Sequence, residues 1–338
     1  MTSGRPGGAR EVRAGIVAAA AATLSGDAAA LDSVDPPPPL SLERLTEGSP
    51  SLAAALAGAG RAAATGAPVL ILGEPGTGRT LLARALHAAS RRAAGPLLEL
   101  DPGAVPATLF ESELFGYRSG AFTGAGADNP GRLGRAAGGT LVLDHVEELP
   151  LAVQPKLLRL LAERRYAPLG GEERAADVRF LAIGPPDLPL RVERGAFRPD
   201  LFYRLEVVAF RLPPLRERAA ELPLLAARLL ADLAERFGRA ATLSPRALAW
   251  MADHPWPGNL TQLRHLLERE LILSDGSQLD PDPPPDLPAS APRPLAALEA
   301  DAIRRALAHT RGHQGRAAAL LGISRKALWE KRKRHGIP

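Results

Sequence analysis

The chain reads as an α/β protein: a parallel sheet covered by helices, then an all-helical unit, then a basic helical tail. Three observations predict this. Short apolar strands alternate with amphipathic helices at 67–73, 80–92, 139–145, 151–165 and 178–184, the pattern of a parallel sheet buried on both faces. From 214 to 275 only helical periodicity remains. Residues 301–338 carry ten Lys and Arg against two acids, Asp301 and Glu330, whereas the rest carries 32 basic and 35 acidic residues. A basic tail on a slightly acidic body points to a nucleic-acid contact confined to one end.

Composition is consistent with that outline. The 338 residues, 46% hydrophobic and 23% charged, suit a soluble globular protein of two or three domains at about 150 residues each. With no cysteine, disulfides, thiolate catalysis and Cys-ligated zinc are excluded. Residues 1–40 are rich in Gly and Ala and close with "PPPP"; a low-complexity, disordered segment is expected there, too small for a sensory domain. Control is then expected from expression, a partner protein or that segment itself. "GIVAAAAATL" (15–24), after Arg5, Arg10 and Arg13, only faintly resembles a signal peptide. No run elsewhere approaches the ~18–20 apolar residues of a membrane span, so a cytoplasmic protein without membrane contact is expected.

The stretch "GEPGTGRT" (73–80) lies between a predicted strand and a predicted helix. Its frame is that of a phosphate-binding loop, G-x-x-x-x-G-K-[ST], in which backbone N–H groups cradle phosphates at a helix N-terminus. Gly73, Glu74, Pro75, Gly76, Thr77, Gly78, Arg79 and Thr80 would hold ATP, with Thr80 offering its hydroxyl to Mg²⁺. Arg79 stands where the lysine belongs. Arginine keeps the charge but replaces a compact ammonium with a wide planar fork. Farther on, "TLVLDHVEEL" (140–149) ends an acidic strand in Asp144, placed to coordinate Mg²⁺ directly or through water. His145 follows where a water-polarising glutamate is expected; a neutral imidazole can accept a proton but lacks the carboxylate's charge. Glu147 is near in sequence and is expected to point elsewhere.

With "ESELFGYRSGAFTGA" (111–125) the chain resembles the AAA+ activators of sigma-54 RNA polymerase, the bacterial enhancer-binding proteins. Gly120, Ala121, Phe122, Thr123, Gly124 and Ala125 form the GAFTGA stretch, which in that family rises from a hexameric ring to touch sigma-54. Its glycines free the backbone of a tip that presents Phe122 and Thr123. "GGTLVLDH", "VQPKLLRLL", "FRPDLFYRL" (197–205), "LPPLRERAAELPLL" (212–225) and "WPGNLTQL" (256–263) extend the resemblance. It implies an AAA+ phosphate-loop core over 41–213 and an α-helical lid over 214–275. A proline-rich linker (276–294) and a Fis-type helix-turn-helix domain (295–338) would follow. Arg198 and Arg204 match the family's arginine fingers, which reach a neighbouring subunit's nucleotide. ATP with Mg²⁺, DNA, the sigma-54 polymerase holoenzyme and a homo-oligomer or a mixed ring of related subunits are the implied cofactors and partners.

The departures from the family pattern gather around one pocket. Besides Arg79 and His145, Asp101 replaces an asparagine that pairs with the glutamate, and Gly184-Pro185 replace a Thr-Asn γ-phosphate sensor. Thr261 replaces a nucleotide-sensing lid arginine, with Arg264 one turn further on. Each removes a piece of electrostatic positioning, so weakened nucleotide binding and impaired hydrolysis are expected. A fully active ATPase and a DNA-binding scaffold or repressor remain as alternatives. So does a subunit with a silent pocket whose Arg198 and Arg204 serve a neighbour.

The tail "LEADAIRRALAHTRGHQGRAAALLGISRKALWEKRKRHGIP" (298–338) reads as three helices. The first covers about 295–310 and ends at Gly312, the second is 314–322 with a turn at Gly322, and Ser324 caps the third. That spacing is helix-turn-helix and resembles the Fis-type domain. Ser324, Arg325, Lys326 and Trp329 would enter the major groove, with Lys331, Lys333 and Arg334 near phosphates. Arg332 stands where the family has leucine, with weakened packing or a snorkelling stem as its alternatives. His309 and His313 form H-x-x-x-H, but Gly312 interrupts the helix and no third zinc ligand is evident.

Overall fold

The computed structural model describes residues 41–122, 125–284, 303, 306, 307, 310 and 313–334. The expected N-terminal segment, the later part of the linker, Thr123, Gly124, His309 and Gly312 therefore lie outside the described residues. Two compact units, Met1–Pro213 and Pro214–Pro338, are described separately.

In the first unit, three short helices, α1 (Leu42–Thr46), α2 (Pro50–Ala55) and α3 (Ala59–Ala64), lead to β1 (Val69–Leu72) and then α4 (Arg79–Ala88). There follow β2 (Leu97–Leu100), α5 (Ala107–Phe115), α6 (Gly131–Arg135), β3 (Thr140–Leu143) and α7 (Gln154–Glu163). A small hairpin of β4 (Arg165–Tyr166) and β5 (Arg174–Ala175) precedes β6 (Arg179–Gly184), α8 (Leu188–Glu193), α9 (Pro199–Leu205) and β7 (Val208–Arg211). The main sheet has five strands in the order β2-β3-β6-β1-β7, all parallel. Every residue of β1, β3 and β6 is buried, and these are the strands predicted from their unbroken apolar runs.

The sequence reading missed β2 and β7. Both are edge strands with partly exposed faces, so Glu99 and Arg211 interrupt the apolar signal. Two predicted helices are longer than the observed ones. α4 stops at Ala88 rather than Arg92, because the Ser90 hydroxyl donates to His87 O and turns the chain. α7 begins at Gln154 rather than Leu151, since Leu149 O takes a side-chain bond from Gln154 Nε2 and Pro155 suits a first turn. One core lies between β-sheet and α5, α6, α7, α9; the other lies under α1–α4 on the opposite face. Each fully buried leucine there contributes about 1.5–3 kcal/mol.

The second unit begins with a 3₁₀ segment (Leu215–Glu221) and α10 (Leu222–Phe237), whose Leu222, Ala226, Leu230 and Leu233 form one buried stripe. α11 (Pro245–Asp253) is capped by Ser244, which accepts from Ala247 N, and α12 (Asn259–Leu273) completes the lid. Trp256 is the hub: it is 1% exposed, stacks on Trp250 at 5.9 Å and donates from Nε1 to Met251 O.

The expected linker starts too early. β9 (Gln278–Leu279) pairs in parallel with β8 (Thr242–Leu243), burying Leu279 completely. Asp280 bonds Ser244 and Arg246, and Pro281 O accepts from Trp250 Nε1. A two-residue strand is too short to show a period, and the prolines that follow masked it. In the tail, α13 (Gln314–Leu320) and α14 (Arg325–Arg334) frame Gly322 at φ 62°. Ile303, Ala306, Ala317, Ala318 and Leu328 form a small core of their own. No helix among the described residues is long and apolar enough to cross a membrane.

Candidate nucleotide, sigma-54 and DNA sites

The loop 73–80 joins the carboxyl end of β1, which lies between β6 and β7 in the sheet, to the N-terminus of α4. Gly76 and Gly78 take φ of 79° and 97°, values that favour glycine. A Cβ on Gly73 would meet Thr77 Oγ1 at 2.8 Å, so glycine is required for the close turn. Thr77 is buried, with its hydroxyl on Glu74 O at 2.8 Å. The ten-residue α4 then points its amino end into the loop, a geometry suited to phosphate.

Arg79 does not project from this cradle. Its side chain is 8% exposed, and Nη1 donates to Gly73 O at 3.0 Å and to Gly184 O at 3.1 Å. The guanidinium thus pins the carboxyl ends of β1 and β6 together. Gly184 O also accepts from Gly73 N at 3.2 Å. A Cβ at Gly184 would meet Val146 Cγ2 at 3.1 Å and Leu188 Cδ2 at 3.2 Å, so the packing has closed over the position of a sensor side chain.

Asp101 and His145 face each other. His145 Nδ1 lies 3.1 Å from Asp101 Oδ2, while Asp101 Oδ1 accepts from Gly103 N at 2.9 Å. His145 sits at φ 52°, ψ 51°, held by its N–H on Asp144 Oδ1 at 2.9 Å. The expected asparagine–glutamate contact is present in reversed polarity, with the acid now on the β2 side. With Nδ1 donating to the carboxylate, Nε2 is left as an acceptor. Asp144 keeps a second carboxylate oxygen, and Thr80 is partly exposed at the start of α4. Two oxygen donors fit Mg²⁺, which takes its remaining ligands from water and phosphate.

Glu147 Oε2 is buried, with no hydrogen-bond partner among the described residues. Burial raises its carboxyl pKa, against smaller lowering effects of its own backbone and of His145, Arg79 and Arg191. Sequence periodicity carried no signal for this, because the residue sits in a single 3₁₀ turn (Val146–Glu148).

Arg198 and Arg204 are not brought to this pocket. Arg198 makes a two-pronged pair with Asp200, at 3.0 and 2.7 Å. Arg204 caps α7, with Nη2 3.1 Å from Leu161 O. It lies near the amino end of β7, whose Val208 is aligned with Val69 at the start of β1. Thr261 and Arg264 are both exposed on α12. Asn259, whose role sequence reasoning missed, is fully buried and accepts from Leu215 N at 2.7 Å, tying α12 to the 3₁₀ segment.

Residues 120–122 and 125 belong to the segment between α5 and α6. Its neck is fixed by paired bonds between Tyr117 and Asn129, at 2.9 and 2.8 Å, and by Leu169 O on Arg118 N. Arg118 pairs with Asp128, which also accepts from Ser119 N. At the tip Gly120 N donates to Ala125 O at 2.8 Å, and Ala121 N to Arg118 O at 3.0 Å. Phe122 is 40% exposed, its ring edge-on to Tyr117 at 4.9 Å.

On α14, Ser324 caps through Ala327 N, and Arg325, Lys326, Trp329, Lys333 and Arg334 are exposed while Lys331 is half-buried. Lys333 Nζ lies 5.5 Å over the Trp329 ring. Arg332 is half-buried, and its buried Nε has no partner among the described residues. His313 Nδ1 accepts from Arg316 N, a capping role.

A glycine-rich phosphate loop on a five-stranded parallel sheet, a helical lid and a helix-turn-helix tail together define a DNA-binding protein of the AAA+ fold. Residues 45–211 match the sigma-54 interaction domain, 216–294 the AAA+ ATPase lid domain and 294–335 the Fis family of bacterial regulatory proteins. The chain belongs to the family of sigma-54-dependent activators. It is 43% identical over 276 residues to the C4-dicarboxylate transport transcriptional regulatory protein DctD of Rhizobium meliloti, covering 81% of this chain and 60% of that protein. With the alginate biosynthesis transcriptional regulatory protein AlgB of Pseudomonas aeruginosa it is 42% identical over 299 residues, 86% of this chain and 67% of that one. The chain thus spans roughly two-thirds or less of these relatives. Among solved structures, NtrX from Brucella abortus in complex with ATP is similar at a TM-score of 0.63 and 32% identity, over 85% of this chain and 68% of that one.

Proposed function

We propose that this protein is a cytoplasmic sigma-54-interacting transcriptional regulator in which nucleotide binding is weakened and ATP hydrolysis impaired. It binds DNA through Ser324, Arg325, Lys326, Trp329, Lys331, Lys333 and Arg334, and it contacts sigma-54 through residues 120–125. Mg²⁺-ATP would be held by residues 73–80 and Asp144. The metal supplies neutralisation of phosphate charge there; the loop amides and α4 orient the phosphates, and His145 faces the water side.

The observation that carries this reading is the position of Arg79. A buried guanidinium whose Nη1 is held by two strand-end carbonyls cannot swing out toward a phosphate without losing those bonds, each worth about 1.5–3 kcal/mol to a charged group. Pro185 offers no backbone N–H in place of the lost sensor. Arg198 and Arg204 would act on a neighbour's nucleotide, in a ring of this chain or a mixed one.

One observation favours a second reading, a working ATPase. The Asp101–His145 contact orients an imidazole much as a carboxylate orients a catalytic histidine elsewhere, leaving Nε2 to accept the proton of an attacking water. Steady-state Mg²⁺-ATP hydrolysis against protein concentration decides between them, with Arg79→Lys/His145→Glu alongside. The first reading expects negligible turnover in the native chain and a gain of about 10²-fold or more in the double variant. Turnover that rises with concentration in the native chain, unimproved by the variant, refutes impairment.

A further inference from the structure

We propose that Glu330 gives the tail a base preference of its own, by accepting a hydrogen bond from the exocyclic amine of a cytosine in the DNA major groove. The inference rests on the reading of α14 as the helix that enters that groove, and deepens it by naming a base. On α14 the cations are Arg325, Lys326, Lys331, Arg332, Lys333 and Arg334, and Glu330 is the only acid. It does not lie on the packed side. Leu328 is buried, with Ala327, Lys331 and Arg332 partly buried beside it. At about 3.6 residues per turn, the opposite face carries Lys326 and Lys333 at its centre, with Trp329 on one flank and Glu330 on the other. All four are exposed.

Glu330 is not engaged by its neighbours either. Lys326 lies four residues before it, Lys333 three after and Arg334 four after, the spacings at which helical ion pairs form. Glu330 nevertheless makes no ion pair or side-chain hydrogen bond among the described residues. Lys333 Nζ lies over the Trp329 ring instead, at 5.5 Å. The carboxylate is thus open on the face that carries the helix's exposed cations.

A carboxylate on a helix that approaches DNA is repelled by the phosphates, whereas each Lys or Arg gains by neutralising one. A base edge that donates a hydrogen bond offsets that repulsion. In the major groove guanine shows the acceptors N7 and O6, and thymine the acceptor O4, both unfavourable to a carboxylate. Adenine sets its N7 acceptor beside its N6 amine. Cytosine presents the N4 amine alone, and a carboxylate is its matched partner. The guanine paired to it offers N7 and O6 to the flanking Lys326 or Lys333, so one C·G pair uses both signs of charge on this face. Glu330 stands about 7.5 Å along the axis from Arg325, roughly two base-pair steps at about 3.4 Å each. The base it reads is therefore separate from the one met by the amino end of the helix.

The full chain, as wild type, Glu330→Ala and Glu330→Gln, is used to select from a duplex library randomised over about 20 base pairs, two helical turns. Salt is held constant, because affinity depends on it, and the enriched duplexes are then titrated. The wild type is expected to fix cytosine at one position or more, where any other base weakens binding about tenfold. Glu330→Ala should lose that discrimination while the rest of the enriched site is unchanged. Glu330→Gln should admit adenine there, whose N6 and N7 match an amide. A Glu330→Ala chain that keeps the same cytosine overturns the inference; a uniform rise in its affinity would make Glu330 a brake on the helix's positive charge. A wild type that binds duplexes without fixing a cytosine also overturns it, and leaves the DNA reading of α14 standing. A wild type that binds no duplex overturns both.

Discussion

The two ends of the five-stranded sheet are built on opposite electrostatic plans. At the carboxyl end, Asp101 and Asp144 flank His145, their carboxylates 3.1 and 3.8 Å from its Nδ1, and Arg79, the loop's own cation, is folded inward onto Gly73 O and Gly184 O. At the amino end the buried charge is a guanidinium group. Arg179, at the start of β6, is 1% exposed and donates to Ala62 O and Ala63 O at 2.9–3.0 Å and to Leu86 O at 3.5 Å. Arg164 and Arg204 likewise end on carbonyls. A backbone carbonyl can hold a buried cation in place without cancelling its charge. Both ends use this device, and at the amino end Arg164 and Arg204 line a cavity.

The largest expected effect tests the amino end. Arg179→Met keeps the stem and takes the side-chain donor from Ala63 O of α3 and Leu86 O of α4, while Ala62 O keeps Thr65, so unfolding free energy should fall by about 2–4 kcal/mol. Denaturant unfolding would measure it, and a loss under 0.5 kcal/mol would mean that water or a local shift satisfies those groups. At the carboxyl end, Gly184→Thr would rebuild the sensor residue type. Its Cβ must push into Val146 and Leu188, costing about 1–3 kcal/mol through overpacking. An unchanged melting temperature would show that the end of β6 is looser than its contacts imply.

The smallest effect is pH-dependent. His87 is buried and its Nδ1 lies 2.9 Å from Thr140 Oγ1. Burial, and then the positive charge of Arg179, hold its pKa below the ordinary imidazole value, while the Gly95 backbone opposes them. The unfolded chain therefore binds this proton more readily, and stability must fall as the pH drops through about 6.5 and below. His87→Gln should flatten that slope between pH 7.5 and 5.5 in chemical denaturation. An identical slope would assign the acid sensitivity to other groups.

Sequence alone determined the elements whose signal is local. The apolar runs within β1, β3 and β6 read as buried strands. The glycines at 73, 76 and 78 fixed the loop, because no other residue tolerates those close approaches and φ values. Ser324 and Gly322 fixed the tail's turn. The replacements at 79, 101, 145, 184, 185 and 261 were legible too, as residue types. What each does was not.

That Arg79 turns inward, that Asp101 meets His145 across 44 positions, and that the Glu147 carboxyl is buried depend on where β2, β3 and β6 end relative to one another. The edge strands β2 and β7, the β8–β9 pair and the cavity between Arg164 and Arg204 depend likewise on packing among segments distant in the chain. Local propensity and periodicity act over a few residues and record which elements form. The partner of a buried charge is set by whichever backbone the fold brings to it, and only the tertiary structure decides that.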